Sequence, residues 1–599
     1  MPKGVESRAV QPQYDPANPL IIQGDRSVLV EVDNPRYAEA RDALAPFAEL
    51  EKSPEHIHTY RLTPLSLWNA AAAGLSADAM MDVLRRFSKY PVPSNLAVDL
   101  AELVGRYGRV RLDRAPEQTG DGPASLRLYS DDVSLLEELA RQPKVRSYLG
   151  ERIDKNSFLV DPAFRGLVKQ ALIAVGYPAE DLAGYTEGAS LAINLREVAR
   201  SGLPFIVRDY QRESADVFYA GGDVRGGSGV IVLPCGAGKT IVGIAAMALM
   251  KRSTLVMTTG ITAVKQWHRE ILDKTDIPED QVAEYTGDTK DIGPITLATY
   301  QILTYRNEKT EEFPHFKIFD KRDWGLIIYD EVHLLPAPVF RVTANIQARR
   351  RLGLTATLVR EDGRESDVFS LIGPKKYDVP WRELETRGWI AEASCTEVRV
   401  GMPDTLRMEY AIAEWRDKYR IASENPTKED VVAHLMERYP DSRLLIIGQY
   451  LKQLRHLRKR FDIPLITGQT SNPEREKLYG QFRKGEIRQL ILSKVGNFAL
   501  DLPDANVLIQ VSGTFGSRQE EAQRLGRILR PKTNGEVAHF YTLVTRDTRE
   551  QDFAHHRQLF LTEQGYSYQI ADGAEMMGEP AAPVAMPQLA EASVAAKLG

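Results

Sequence analysis

The sequence is short of several things, and each shortage excludes something. Two of its 599 residues are cysteine, Cys235 and Cys395, too few for a disulfide framework or a multi-cysteine metal centre. No apolar run approaches the ~18 residues of a membrane span. The opening stretch MPKGVESRAVQPQYDPANP is polar and proline-bearing, without the apolar core of a signal peptide. A basic excess is missing as well: 77 Lys and Arg stand against 82 Asp and Glu, a net charge of −5. A nucleic-acid partner would therefore be met by a local groove and not by a global field. The expectation is a cytoplasmic protein without a membrane anchor, long enough for three to five domains at ~100–200 residues each.

Residues 1–19 read as a disordered leader and residues 20–112 as a mostly helical domain. In it a short strand, Ser27 to Val32, precedes a helix from about Pro35 to Leu50. Thr63 caps a second helix with Pro64 in its first turn and Gly74 at its end, Ser76 caps a third with Met80, Val83, Leu84 and Phe87 on one face, and Asn95 to Tyr107 makes a fourth. Residues 113–124, opening DRAPEQTGDGP, have linker composition. Residues 125–198 read as a small α+β domain, with strands near Leu126 and from Ser157 to Val160 and helices from Asp132 to Arg141 and Pro162 to Val175. From about Pro204, buried-strand runs (VIVL, TLVM, ITLA, GLIIYDE, RLGLTAT) alternate with helical stretches, which implies βαβ units on a parallel sheet. A second set (RLLIIG, PLIT, QLILS, NVLIQVS, HFYTLV) begins near Arg443. The fold class is α/β, with tandem parallel-sheet domains at 199–395 and 396–570 behind the two smaller modules. Residues 571–599 read as a disordered tail.

Three segments carry chemistry. LPCGAGKT, Leu233 to Thr240, follows a strand and opens the helical run IVGIAAMALM. Gly236, Ala237 and Gly238 offer backbone amides to phosphates, Lys239 reaches the β and γ oxygens, and Thr240 holds Mg²⁺. Leu233 stands where the strict phosphate-loop pattern has its first glycine, so a plain strand-to-helix turn is the bland alternative. DEVH, Asp330 to His333, ends the strand LIIY at the mouth of an α/β site. Asp330, with Glu331, serves the metal, and Glu331 orients and deprotonates the attacking water. An acidic pair alone would be a solvated strand end. QRLGRILR, Gln523 to Arg530, puts Arg527 and Arg530 on one helical face beside Gln523. Guanidinium groups facing the γ-phosphate stabilise charge in the transition state, and a solvated basic helix is the alternative. His333 has no second ligand at metal spacing and is assigned to linking the ATP state to LTATL. Cys235 reads as a tolerated small residue.

In this order the three segments resemble superfamily-two helicases, and the resemblance runs from about residue 20 to 570. It implies that Gln211 in RDYQRE, with Arg208, reads adenine. TTGITAVKQW (Thr258 to Trp267) and ATYQ (Ala298 to Gln301) look like strand-tracking segments, which implies DNA contacts from Lys265, Gln266, Trp267 and Thr299. LTATL looks like the segment coupling hydrolysis to motion, through Thr355 and Thr357. In SKVGNFALDLPDANVLIQVS, Asp501 would approach the ribose. VREDG, with Arg360, Glu361 and Asp362, resembles the XPB helicases and adds DNA contacts. LIGPKKYDVPWRELETRGWIA, GSRQEEAQRLGRILRPK, TPLSLWNAAAAGL and HRQLFLTEQGYSY resemble the same family, in its bacterial branch.

The resemblance implies a DNA helicase moving 3′ to 5′ on two RecA-like domains, with ATP and Mg²⁺ as cofactors and a repair role of the nucleotide-excision kind. Residues 125–198 would be a damage-recognition-like domain. The implied partners are DNA, as a single strand or a junction, and a repair nuclease; the protein would be a monomer near the nucleoid. Two contacts have structural alternatives: Trp267 as core, and Arg360 paired with Asp362. The stretch between Arg399 and Arg443 leaves little room for the family's thumb-like insertion, which bears on strand separation more than on translocation. A duplex translocase, an RNA helicase and a nucleotide-switched DNA-binding scaffold are the competing readings. VREDG speaks against RNA, and Glu331, Arg527 and Arg530 speak against a scaffold.

Overall fold

Two parallel sheets form where the two sets of apolar runs were read, because strands covered on both faces are apolar throughout. The computed structural model describes residues 14–52, 56–116, 125–223, 226–234, 236–306, 313–346, 349–356, 365–379, 381–493, 505–513, 537–563 and 568–578. The first lobe contains β1 (Ser228–Val232), β2 (Thr254–Thr258), β3 (Val282–Tyr285), β4 (Ile295–Thr299), β5 (Leu326–Asp330), β6 (Arg350–Thr355) and β7 (Lys375–Asp378). They lie in the order β3-β4-β2-β5-β6-β1-β7, with every neighbouring pair parallel. β1, β2, β4 and β6 are buried at every residue.

The second lobe contains β8 (Ala393–Val400), β9 (Leu444–Ile447), β10 (Leu465–Ile466), β11 (Gln489–Leu492), β12 (Val507–Gln510), β13 (Ala538–Thr545) and β14 (Tyr568–Asp572). Their order is β10-β11-β9-β12-β13-β8-β14, again parallel throughout. Strand for strand this repeats the first lobe: the first strand in the chain lies sixth in the sheet, the second lies third, and the last closes the edge. β14 and the short helix Gly573–Met576 carry the lobe past residue 570, where the tail was expected to begin.

The N-terminal modules depart from expectation in two places. The first module holds a four-stranded antiparallel sheet of Leu20–Ile22, Ser27–Glu31, Ile57–Arg61 and Glu49–Lys52 beside its helices. The helix expected to reach Leu50 stops at Leu44, because Glu49–Lys52 joins the sheet edge with Leu50 as its one buried side chain. The helix starts fall as read: the Ser66 N–H donates to Thr63 Oγ1 at 3.0 Å and the Ala79 N–H to Ser76 Oγ at 3.2 Å. The stretch expected as a linker begins inside the strand Arg111–Arg114, which pairs antiparallel with Leu126–Tyr129. It therefore joins two strands of one sheet and not two domains; turn-forming composition serves both uses.

Both modules dock on the first lobe. A β-carbon at Gly166, in the helix Arg165–Ala174, would lie 2.5 Å from the Ala344 carbonyl oxygen, so the two backbones touch. Gln170 Nε2 donates to Asp367 Oδ1 and the Lys375 N–H to Asn69 Oδ1, each at 2.9 Å. Arg165 and Lys169 each reach Asp181 at 2.8 Å. Burial pushes the Asp181 carboxyl up, but these two cations outweigh it and hold it well below the usual carboxylate range. The second lobe also meets the first module, where the helix Arg549–Glu563 runs against the edge strand Glu49–Lys52. Among the described residues no helix is long and apolar enough to cross a membrane.

Candidate active site

β1 runs into Leu233, which is fully buried in the lobe's core and whose N–H donates to the Thr355 carbonyl at 3.0 Å. The missing glycine is thus explained: one residue past β1 the backbone still hydrogen-bonds to β6, and the side chain is core. The turn proper begins later. Gly236 and Gly238 adopt φ of +86° and +80°, which glycine takes without the cost a side chain would impose. A β-carbon at Gly238 would lie 2.4 Å from Gln211 Nε2. The helix Lys239–Met250 comes next, and its N-terminus presents amides and a positive dipole end to a phosphate.

Gln211, expected at the adenine, ties that side of the site to the loop. Its Nε2 donates to the Ala237 carbonyl at 2.8 Å and its Oε1 accepts the Arg208 N–H at 3.1 Å. Tyr210 Oη also donates to the Ala237 carbonyl, at 2.7 Å. The Arg208 guanidinium lies over the Trp389 ring, 4.7 Å from its centroid.

β5 delivers Asp330 and Glu331. Glu331 sits at φ +51°, a left-handed conformation that costs an L residue roughly 1–2 kcal/mol. The turn ends the strand, and the Glu331 carboxylate lies 3.4 Å from Lys239 Nζ and 3.5 Å from His333 Nδ1. His333 Nδ1 shares a 2.7 Å hydrogen bond with Thr355 Oγ1 at the end of β6, the link to LTATL that the sequence suggested. Burial and then the neighbouring Glu331 carboxylate push Asp330 up to about 6. Burial pushes Glu331 the same way, but the Lys239 ammonium and His333 outweigh it and hold it below its ordinary value.

The donor set suits a hard divalent cation. Asp330 and Glu331 are adjacent, half-buried carboxylates, and Glu331 Oε2, a buried atom, has no hydrogen-bond partner among the described residues. Among those residues no group of three or more His, Cys, Asp and Glu side chains converges. A cation here would complete its shell with water and phosphate oxygens, the habit of Mg²⁺.

The expected strand contacts separate. Lys265 is exposed and paired with Glu284 at 2.8 Å, and Gln266 is half-buried. Trp267 offers no face to a base: it is 1 % exposed, and its Nε1–H donates to Asp330 Oδ2 at 2.9 Å. Thr299 is buried too and caps the short helix Tyr300–Leu303 by accepting the Ile302 N–H. Sequence reasoning had a signal for Trp267, since Ala263, Val264, Trp267 and Ile271 make the apolar stripe of the helix Ile261–Lys274. It had none for Tyr300, whose Oη donates to the Asp330 carbonyl at 2.9 Å. Thr240, assigned to Mg²⁺, is the second residue of the helix Lys239–Met250. Cys235, Thr357, Arg360, Glu361, Asp362, Asp501, Gln523, Arg527 and Arg530 lie outside the described residues.

Comparison with known proteins covers nearly the whole chain. Residues 384–592 match a family model described as ERCC3/RAD25/XPB C-terminal helicase, and residues 205–360 match one described as type III restriction enzyme, res subunit. Residues 20–154 match a model described as helicase conserved C-terminal domain, although the sheet pairings within that span are antiparallel. A protein of Kineococcus radiotolerans named DNA 3′-5′ helicase XPB is 54 % identical over 560 residues, 94 % of this chain and 97 % of that one. The Mycobacterium tuberculosis protein of the same name is 53 % identical, over 94 % of this chain and 99 % of its own length. The general transcription and DNA repair factor IIH helicase/translocase subunit XPB of Enterocytozoon bieneusi is 34 % identical over 93 % of both chains.

Proposed function

The chain belongs to the XPB family of ATP-hydrolysing DNA 3′-5′ helicases, and from that premise we propose how its residues divide the work and in what setting. Lys239 meets the β- and γ-phosphates, while Thr240, Asp330 and Glu331 serve magnesium. Bound there, magnesium offsets phosphate charge and orients the γ-phosphoryl group. Glu331 orients and deprotonates the attacking water. Gln211 and Arg208 serve the adenine side and Asp501 the ribose. Gln523, Arg527 and Arg530 come from the second lobe when the lobes close, and His333 with Thr355 and Thr357 transmits the result. Closure and opening then ratchet one strand, held mainly through phosphate and sugar. Lys265, Gln266, Arg360, Glu361 and Asp362 remain the contacts assigned to that strand.

One observation carries this reading: Glu331 holds a buried carboxylate oxygen without a hydrogen-bond donor among the described residues, on a side chain 3.4 Å from the loop lysine. Lys239 and His333 offset the charge, but a buried oxygen without a hydrogen-bond donor is costly unless a ligand supplies the contact. Glu331→Gln should abolish DNA-stimulated ATP turnover while the protein still binds nucleotide. Unchanged turnover would remove Glu331 from the catalytic role.

The setting we propose is repair of the nucleotide-excision kind, by a monomer acting with a nuclease on a single strand or a junction. The name of the Enterocytozoon relative, a transcription and DNA repair factor subunit, supports it. Residues 125–198, seated on the first lobe, would sense distorted DNA. A second reading is movement along duplex with little strand separation. It is favoured by the small size of the segment after β8, where the helices Asp404–Ile412 and Trp415–Ser423 have 9 residues each. Strand displacement on 3′-tailed, 5′-tailed and blunt DNA, with an RNA control, separates the two. Displacement of the 3′-tailed substrate supports unwinding, and ATP-driven movement without displacement supports the translocase.

A further inference from the structure

Two segments that resemble strand-tracking elements both end on one residue. From the first, the Trp267 Nε1–H donates to Asp330 Oδ2 at 2.9 Å. From the second, Tyr300 Oη donates to the Asp330 carbonyl, also at 2.9 Å. The segments are tied to each other as well, since the Gln301 side-chain amide donates to the Thr259 carbonyl. We propose that Trp267 and Tyr300 are positioning residues, through which the DNA-side segments of the first lobe set Asp330 for magnesium. The inference rests on the reading of Asp330 as a magnesium residue.

The geometry gives little room for slack. Trp267 lies on the helix Ile261–Lys274, whose first residues Ile261 and Thr262 and the later Lys265 are exposed, while Trp267 points inward. Its ring is held from behind: a β-carbon at Gly243, in the loop helix Lys239–Met250, would lie 2.4 Å from Trp267 Cη2. A glycine there lets the indole occupy that space. Packed interiors transmit displacement instead of absorbing it. A shift of the helix at its exposed end therefore moves the indole N–H relative to the carboxylate. The N–H fixes one oxygen and so the plane of the carboxyl group; groups that hold metal-side ligands in this way tune affinity for the ion. Tyr300 does the same for the backbone of the same residue, at the point where β5 turns into Glu331. DNA bound across both segments would thus be felt at the metal before it is felt at the γ-phosphate.

The test uses the full chain, a fluorescent slowly hydrolysed ATP analogue, MgCl₂ and an oligo(dT) strand, and reads nucleotide binding without turnover. In the parent protein the strand should lower the Mg²⁺ concentration for half-saturation. Trp267→Phe, which keeps a ring and removes the donor, should raise that concentration about tenfold and erase the effect of the strand. Nucleotide binding in EDTA should be unaltered. Tyr300→Phe should move the Mg²⁺ requirement the same way by about threefold. Parental half-saturation in Trp267→Phe with the strand effect intact would overturn the proposal. So would weakening of nucleotide binding to the same extent with EDTA and with Mg²⁺, the mark of mere packing under Gly243. If Trp267→Phe does not fold, Tyr300→Phe decides on the same readout, since it loses one hydroxyl. If nucleotide binding by the parent ignores Mg²⁺, the magnesium reading of Asp330 itself falls, an outcome distinct from the other two.

Discussion

In the first lobe, β1 runs through Leu233 into two left-handed glycines and the helix that begins with Lys239. In the second lobe, the matching strand β8 runs into Gly401, Met402 and Pro403 and the helix Asp404–Ile412. β5 ends in Asp330, followed by Glu331; its counterpart β12 ends in Gln510, followed by Val511. The strand order is the same, and the treatment of charge at the sheet's mouth is opposite. The first lobe leaves Glu331 Oε2 without a hydrogen-bond partner among the described residues. The second closes its buried charge completely. Lys428 and Glu550 side chains are 0 % exposed, Lys428 Nζ donates to both Glu550 oxygens at 2.7 Å and to the Val511 carbonyl at 2.9 Å, and the Thr545 N–H donates to Glu550 Oε2 at 2.9 Å. A shared fold thus leaves a carboxylate oxygen open in one copy and fastens a buried ion pair in the other.

Four measurements press on that contrast. The largest effect is expected from Glu331→Gln, which should lower DNA-stimulated turnover about a hundredfold to ten-thousandfold. It should cost little thermal stability, since Oε2 has no hydrogen-bond donor among the described residues to lose; a drop in melting temperature as large as that of a broken buried pair would break the contrast. Lys428→Met should do the reverse. It strands Glu550 in the core and should cost about 3–5 kcal/mol in the second lobe by denaturant titration, while the first lobe still binds nucleotide.

Third comes the N-terminal domain, where titration and not a ligand sets the balance. His58 is buried beside Tyr37 Oη at 2.8 Å, and burial, with Arg41 nearby, lowers it to about 4. Its folded value lies below its unfolded one, so the unfolded chain takes up the extra proton between about pH 6.5 and pH 4. Stability held above pH 6.5 should fall through that window by about 3 kcal/mol, and His58→Gln should flatten the step in a pH series of melting curves. The smallest effect is Thr355→Val, which removes the 2.7 Å bond to His333 and should cost about 1 kcal/mol. Its sharper readout is a loss of DNA stimulation with nucleotide affinity kept.

What could be read in advance followed burial. β1, β2, β4, β9 and β12 are buried at every position and mostly apolar because both faces are covered, and so were plain in the sequence; β6 is equally buried but carries Arg350, Arg351 and Thr355 among its six residues. Glu49–Lys52 buries one residue of four and Arg152–Asp154 buries none, so neither carried an apolar signal. Residues 113–124 misled because a connection between paired strands and a linker between domains draw on the same composition. At the site, glycines, lysine and carboxylates were legible from their order. The hydrogen bonds that aim them were not, because Trp267 and Tyr300 meet Asp330 across 63 and 30 positions of chain.

The bare contact at Gly166 has a mechanical consequence. With backbone against backbone there is no side-chain cushion, and the second module cannot rock on the first lobe without a clash. Together with the Lys375–Asn69 bond, it makes a chassis of the modules and the first lobe. On the proposed cycle of closing and opening, the second lobe would be the part that travels. A pair of spectroscopic rulers spanning residues 166 and 344 would stay still through a cycle, and one spanning the lobes would record the stroke. The helix Arg549–Glu563, resting on Glu49–Lys52, is where that stroke would rub against its own housing.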